Sequence, residues 1–211
     1  MNQKINYQKE MEKILAELEA EGRTPRLLLH SCCAPCSSYV LEYLSPYFFI
    51  TDFYYNPNIA PAEEYRKRVN EMQRLIREMP LPHPVEFKEG NYDPDRFYEM
   101  ARGKEDIPEG GERCFACFEM RLREAAQEAL RLHMDYFTTS LSISPLKDAQ
   151  KLNEIGIRLG EEYGVPYLVS DFKKKNGFHR STELSREYHL YRQNYCGCVY
   201  SRRQAEREGR V

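Results

Sequence analysis

The stretch LLLHSCCAPC, residues Leu27–Cys36, places Cys32, Cys33 and Cys36 directly after an apolar run. Its three leucines are typical of a buried strand in a parallel sheet, and residues 37–44 have the pattern of a helix. A strand-to-helix turn favours negative charge, because free backbone N–H groups and the helix dipole point into it. We therefore expect these three thiols to have lowered pKa values and to bind metal or act as nucleophiles.

The two adjacent cysteines of this turn carry a second expectation. Consecutive side chains at the end of a strand point in opposite directions, so Cys32 and Cys33 are expected to serve different metal sites. Cys36 follows Cys33 at a spacing that allows the two to share a metal. The turn is thus predicted to connect a cluster with a second ion.

Seven cysteines occur in the chain, and they fall into three groups that are far apart in sequence. Because no export signal precedes them, metal or redox chemistry is favoured over structural disulfides. Four thiolates suit an iron–sulfur cluster, but zinc or a thiol–disulfide relay fits the same residues. The candidate ligands are Cys32, Cys33, Cys36, Cys114, Cys117, Cys196 and Cys198.

The rest of the chain alternates between strand and helix patterns, which predicts an α/β fold with a parallel sheet and helices on both faces. We expect a single domain over 1–211, with an N-terminal helix over 1–24 and a basic, aromatic segment over 171–211 that completes the metal site. In such sheets, ligands bind at the carboxyl ends of the strands. Strands are predicted at 27–29, 47–55, 84–88, 136–141 and 167–169, and helices at 37–44, 63–79, 94–100, 114–133 and 150–163.

Composition excludes several classes of protein. The net charge of −2 is not that of a globally basic nucleic-acid binder, and no DNA partner is expected. No run of eighteen apolar residues exists, so no membrane span is expected, and the N-terminus lacks the apolar core of a signal peptide. These features predict a cytoplasmic protein.

A local basic patch is nevertheless present near the C-terminus. Residues 171–203 hold eight Lys or Arg against three Asp or Glu, with Phe and Tyr interleaved. Cations beside aromatic rings suit phosphates and unstacked bases of RNA. The alternative for 183–191 is a solvated helix whose tyrosines pack inward.

Six motifs together resemble a known family. They are HSCCAPCSS, FYYNPNI, RCFACFEMRL, FTTSLSISPLK, DFKKKNGFHRS and LYRQNYCGCVYS, and they extend over residues 26–203. Three of them contain cysteines, and the set is similar to the cobalamin-independent epoxyqueuosine reductases of the QueH type.

The resemblance implies reduction of epoxyqueuosine to queuosine in tRNA, on a HUP-like fold related to the ATP-pyrophosphatases. It also implies a 4Fe-4S cluster, an additional iron ion and an external electron donor. The proton donor is expected among Asp52, Tyr54 and Tyr55. The anticodon loop of the tRNA is expected to contact Lys147, Lys173, Lys174, Lys175 and Arg180.

Two alternatives remain at this point. A tRNA sulfurtransferase on the same fold would need ATP or a sulfur donor. ATP use is not expected, because Cys32 and Cys33 stand where adenylating relatives have a glycine-rich phosphate loop. The second alternative is a zinc-stabilised RNA-binding module without catalysis.

Overall fold

The computed structural model describes residues 5–210. At its centre lies a four-stranded parallel sheet in the order β3-β2-β1-β4. Its strands are β1 (Arg26–His30), β2 (Phe49–Tyr54), β3 (Glu86–Glu89) and β4 (Tyr136–Thr139). The helices are α1 (Tyr7–Ala20), α2 (Ala34–Leu44), α3 (Ala62–Glu78), α4 (Pro94–Ala101), α5 (Glu112–Arg131), α6 (Ala149–Tyr163), α7 (Gly177–Glu187) and α8 (Val199–Arg207).

Helices cover both faces of the sheet, as predicted. Leu27 and Leu29 pack into an apolar cluster that includes side chains of α2 and α3. Leu28 points to the other face and packs with side chains of α5 and α6. Alternating side chains of a central strand are thus buried on both sides, which explains the unbroken leucine run.

Strand order determines where a ligand site forms. The chain moves from β1 to β2 and β3 on one side, and then returns to place β4 on the other side of β1. A crevice opens at the carboxyl ends of two strands where the order reverses in this way. The cysteine turn follows β1 and residues 140–147 follow β4, so both segments lie at this crevice. The order is compatible with a HUP-like arrangement.

Two predicted strands differ from the structure. The fifth strand at 167–169 is reduced to one bridge between Phe137 and Tyr167. Two backbone hydrogen bonds join this part of the chain to Phe137, and Asn153 Oδ1 accepts the backbone N–H of Ser170, the residue after the predicted strand. The fourth strand ends at Thr139, whose hydroxyl accepts the N–H of Leu141 and starts a short 3-10 helix.

The ends of the chain also differ from expectation in detail. Residues 1–4 of the predicted N-terminal helix lie outside the described residues, and the helix begins at Tyr7. The predicted basic segment folds into α7 and α8, joined by irregular residues 188–198 that carry Cys196 and Cys198. Across residues 5–210, no helix combines the length and the apolar character needed to cross a membrane.

Candidate metal centre

Three cysteine sulfurs meet at the turn between β1 and α2. The Sγ atoms of Cys32 and Cys33 are 3.8 Å apart. Together with Cys36 Sγ, they all lie within 4.8 Å of one another. Among residues 5–210, this is the one set of three or more His, Cys, Asp or Glu ligand atoms that meets this distance. Such spacing suits a shared metal.

The expectation that Cys32 and Cys33 point apart is therefore wrong. β1 ends at His30, so the alternation of a strand does not extend to these residues. Cys33 is the N-cap of α2 and has an extended backbone with φ of −171°. The start of the helix turns both sulfurs toward one side.

Hydrogen bonds from neighbouring elements fix this turn. The Ser31 backbone N–H donates to Phe53 O at 3.0 Å, and Asn56 Nδ2 donates to Ser31 O at 2.8 Å. Ser37 Oγ, from the first turns of α2, donates to Ser31 Oγ at 3.0 Å. The cysteine positions are thus set by the edge of the sheet and by α2 together.

The other four cysteines line a small apolar cavity next to this turn. Two of them lie at helix N-termini: Cys114 in the first turn of α5 and Cys198 at the N-cap of α8. Their sulfurs accept backbone N–H groups of Gly110 and Ser201, each at 3.3 Å. Cys117 and Cys196 complete the lining, and Cys196 also borders the cleft beside the first three thiols.

Hydrogen bonds among the three clustered thiols, together with burial, set the pKa values of these groups. Hydrogen bonds from Cys33 and Cys36 lower the pKa of Cys32 well below its usual value. Donation to Cys32 raises the pKa of Cys33 to about 12 and also raises that of Cys36. Burial raises the pKa of Cys117 to about 12. The predicted lowering of the pKa thus holds for Cys32 and is wrong for Cys33 and Cys36, because one buried thiolate disfavours a second.

This donor set fits a metal or a metal cluster. Thiolates are the forms that bind metal, and a cation is required to keep several buried thiols ionised at once. Helix N-termini and backbone N–H donors at the sulfurs are the features that accompany iron–sulfur ligation. The described cysteines are also free of disulfides in the structure.

A cleft of about 350 Å³ opens over the first three thiols. Lys147 lies in its wall. Burial alone would lower the pKa of Lys147, but its interactions with the neighbouring cysteine sulfurs outweigh this effect and raise the pKa. The cleft therefore holds an ammonium group next to sulfur. Further lining comes from Arg68, Phe178, Ser181, Arg192, Asn194 and Tyr195.

The predicted proton donors lie beneath the cleft rather than in its wall. Asp52, on β2, is fully buried and accepts a hydrogen bond from Ser31 Oγ, and burial raises its pKa to about 8. Tyr54 donates to Cys32 O at 3.3 Å, and burial raises its pKa well above the usual value. The Tyr55 hydroxyl accepts from Arg96 at 3.0 Å.

The predicted RNA contacts divide into two sets. Lys147, Lys173 and Lys174 line a groove of about 610 Å³ that adjoins the cleft at residues 145–147. Lys175 forms an ion pair with Glu12, and Arg180 forms a bidentate ion pair with Glu42. Lys175 and Arg180 line neither the groove nor the cleft.

Two buried arginines at the centre were missed by the sequence analysis. Arg68 on α3 and Arg121 on α5 are 2% and 1% exposed. Each falls within the apolar stripe of its helix, for example Arg121 four residues after Cys117 and four before Ala125. A cation at a core position of an amphipathic helix was the signal available in the sequence.

Comparison with known proteins identifies the family of this chain. A family model described as "Epoxyqueuosine reductase QueH" matches residues 27–204. The chain belongs to the QueH family of epoxyqueuosine reductases. All seven cysteines and both buried arginines lie within the matched residues.

Individual relatives carry the same description over most of their length. The chain is 46% identical over 202 residues to epoxyqueuosine reductase QueH of Streptococcus pyogenes, covering 95% of this chain and 79% of the relative. Identity to the Staphylococcus epidermidis protein is 45% over 204 residues, covering 95% and 86%. A Thermotoga maritima relative is 34% identical over 181 residues, covering 83% and 89%.

Proposed function

We propose that this protein reduces the epoxide of epoxyqueuosine in tRNA to the alkene of queuosine. The observation that carries the proposal is a cleft lined by three clustered thiols at the switch point of the sheet, in a chain of the QueH family. The reaction consumes two electrons and two protons; both C–O bonds of the epoxide break, a C=C bond forms, and the oxygen leaves as water. The electrons come from an external donor, and we place the reaction in the cytoplasm.

We further propose that the seven cysteines hold a 4Fe-4S cluster and an additional iron ion. When bound, these groups supply single electrons and a Lewis acid for the epoxide oxygen. Seven thiols exceed the four that one cluster requires, which supports a second iron. The 3.8 Å between the sulfurs of Cys32 and Cys33 favours their joint use at one metal group.

The cleft is proposed to receive the modified base. Phe178 is 39% exposed and Tyr195 lies deeper in the wall, so both offer an aromatic face to a base. Lys147 presents its ammonium beside the thiols and is suited to orient an oxygen of the substrate there. Lys147 has no ion pair with a carboxylate among residues 5–210, and its positive charge also attracts the negatively charged RNA into the cleft.

Asp52 is the proton source that we favour among the three predicted donors. With a pKa of about 8, its carboxyl group keeps its proton at neutral pH. A chain of hydroxyls connects it to the cleft: Ser31 contacts Ser37 at 3.0 Å, and Ser37 contacts Ser140 at 3.3 Å. Ser140 Oγ lies 3.9 Å from Cys32 Sγ. Tyr54 and Tyr55 have no such connection among the described residues.

The backbone of the anticodon loop is proposed to follow the groove lined by Lys147, Lys173 and Lys174. The groove is continuous with the cleft, so a nucleotide flanking the modified base reaches it directly. Lys174 is exposed and has no ion pair among residues 5–210, whereas Lys173 pairs with Asp171 at 2.5 Å. An exposed cation of this kind is available to a phosphate.

One experiment tests both the activity and the cofactor. Anaerobically reconstituted protein is incubated with epoxyqueuosine-containing tRNA and a chemical reductant, and the nucleosides are analysed by mass spectrometry. We expect queuosine, together with a brown protein that absorbs near 400 nm. A colourless zinc protein without turnover would overturn the proposal in favour of an RNA-binding module. Sulfur incorporation that depends on ATP would instead indicate a sulfurtransferase.

A further inference from the structure

Three arginines are buried near the cysteines. Arg113 is satisfied by backbone carbonyl groups of residues 104 and 105, whereas Arg68 and Arg121 lack this kind of full satisfaction within residues 5–210. Arg121 lines the cavity that holds Cys114, Cys117, Cys196 and Cys198. Arg68 borders the cleft next to the three clustered thiols. A guanidinium cannot lose its proton in a protein, so both charges persist at any working pH.

Arg121 has no carboxylate partner within residues 5–210. Its Nε donates to His30 Nε2 at 3.3 Å, and Nη2 donates to Asn56 Oδ1. Neither acceptor is an anion: one is an imidazole nitrogen and the other an amide oxygen. A buried charge without a counter-charge is strongly unfavourable. The groups that share a cavity wall with Arg121 include the sulfurs of Cys114, Cys117, Cys196 and Cys198.

Arg68 is held in place but remains incompletely satisfied. Its Nε donates to Glu64 at 2.7 Å and Nη1 donates to Cys196 O at 3.0 Å. Nη2 is buried and has no hydrogen-bond partner in the described chain. Because buried N–H groups are normally paired, this one indicates an acceptor that the protein atoms do not supply. Arg68 lines the same cleft as Cys32, Cys33 and Cys36.

The loop after Tyr195 is built around Arg68. Gly197 has φ of +124°, and a Cβ at this position would lie 2.9 Å from Arg68 Nη1. The guanidinium carbon of Arg68 lies 5.4 Å from the centre of the Tyr195 ring. Glycine between Cys196 and Cys198 thus lets these cysteines close over the cation. The contacts that hold the loop against Arg68 therefore also place Cys196 and Cys198 near its positive charge.

We propose that Arg121 and Arg68 are the counter-charges of the cysteine centre: they stabilise the negatively charged thiolate group that a bound metal creates there, and they raise the reduction potential of that metal group. A nearby positive charge in a poorly solvated site favours the state with more negative charge. Metal-bound thiolates and the reduced form of a cluster are both such states. The two arginines are positioning residues, and the inference about potential rests on the proposed iron–sulfur function.

The first test needs no iron. Reduced, metal-free protein is titrated with Co²⁺, and the thiolate-to-cobalt absorption gives the affinity. We expect Arg121→Met and Arg68→Met to lower this affinity at least tenfold, and Arg121→Lys to retain most of it. Matched controls are Arg123→Met, which lies on α5 but pairs with Glu119 at 3.0 Å on the surface, and Arg77→Met, an exposed position on α3.

The second test uses protein reconstituted anaerobically with iron and sulfide. At the midpoint potential of the wild type, the ratio of reduced to oxidised cluster should fall at least tenfold in Arg121→Met. This corresponds to a shift of about 59 mV to more negative potential for one electron. Electron paramagnetic resonance of the reduced cluster reports the ratio, and Arg123→Met should match the wild type.

The outcomes separate this inference from the proposed function. If the wild type takes up no cluster while its Co²⁺ affinity depends on Arg121, the cofactor assignment fails and the counter-charge role stands. Folded Arg121→Met and Arg68→Met proteins with unchanged Co²⁺ affinity overturn the inference. If Arg121→Met does not fold, Arg121→Lys decides: a folded Lys variant with tenfold weaker Co²⁺ binding rules out positive charge as the cause.

Discussion

The metal centre is built from two regions that hold their cysteines in different ways. The turn after β1 is fixed by a sheet edge and a helix start: Ser31 accepts hydrogen bonds from Asn56 and Ser37 and donates to Phe53 O and to Asp52. The irregular residues 188–198 have no strand or helix of their own. They are held by side chains of α3: Glu71 accepts the Tyr191 N–H at 2.7 Å, and Arg68 donates to Cys196 O at 3.0 Å.

This difference separates local from long-range causes of the site. In the first region, the backbone partners of Ser31 lie at most 25 positions away in sequence, so substitutions there should affect ligands and leave the loop unchanged. The second depends on α3, which lies more than a hundred residues earlier in the chain. Its position should respond to changes that alter no ligand at all.

Removal of a cysteine from the first region should have the largest effect. We expect Cys32→Ala and Cys33→Ala each to abolish turnover and to lose the same iron in equal proportion, because their sulfurs are 3.8 Å apart. Iron and sulfide analysis after anaerobic reconstitution measures this. Ser38→Ala, also at the start of α2 and buried, is the control that should keep its iron. Different losses in the two variants would restore the two-site interpretation of the turn.

A substitution that moves the second region but removes no ligand should lower turnover less than the loss of a cysteine, although the effect should still be large. In Gly197→Ala, the new Cβ would lie 2.9 Å from Arg68 Nη1 and 3.0 Å from Ile59 Cγ1. Misplacement of Cys196 by about 1 Å should lower turnover roughly 10- to 100-fold. Gly209→Ala is the matched control, because its φ is +66° but nothing lies within 4 Å. Equal effects in both variants would attribute the loss to backbone strain rather than to the contact with Arg68.

The sheet side of the centre should also carry a pH dependence that the loop lacks. The pKa of Asp52 rises from an unfolded value of about 3.9 to about 8 in the fold, so the folded state binds the extra proton between these values. Stability contributed by this carboxyl group therefore declines as pH rises through that window. The slope approaches about 1.4 kcal/mol per pH unit, a tenfold change in the folding equilibrium constant.

Asp52→Asn should remove this slope, because the amide does not titrate. Urea denaturation between pH 5 and pH 8 measures the free energy of unfolding of both proteins. Thr51→Ser, on the same strand but without a titrating group, should retain the slope of the wild type. An unchanged slope in the Asn variant would mean that Asp52 is ionised in the fold.

The smallest expected effect concerns RNA binding at the groove. Lys174→Glu should weaken tRNA binding about threefold at physiological salt and reduce the salt slope by roughly 0.7 to 0.9. Lys175→Glu is the matched neighbour, whose ammonium is already paired with Glu12, and it should change less. Filter-binding assays at several salt concentrations give both quantities. If Lys175→Glu weakened binding more than Lys174→Glu, the RNA would run along α1 rather than along the groove.

Much of the site was predictable because its signals are local. The leucine run, the turn at Cys32–Cys36 and the cysteines at the start of α5 follow from short patterns of residues, whereas the helix that follows Cys198 was not predicted. The direction of the two adjacent sulfurs was predicted wrongly, since the point at which β1 ends depends on its pairing with β2. The fifth strand was also predicted wrongly: it is reduced to one bridge at Tyr167, and Asn153 on α6 accepts the backbone N–H of Ser170.

The sequence by itself determined the family, the parallel α/β sheet and the number of thiols available. These depend on residue type and spacing, which are the same before and after folding. Tertiary structure decided which thiol ionises, where Lys147 and the groove lie, and that Arg68 and Arg121 face sulfur rather than solvent. Those properties depend on burial and on distances between charges, and both arise only when segments far apart in the chain pack together.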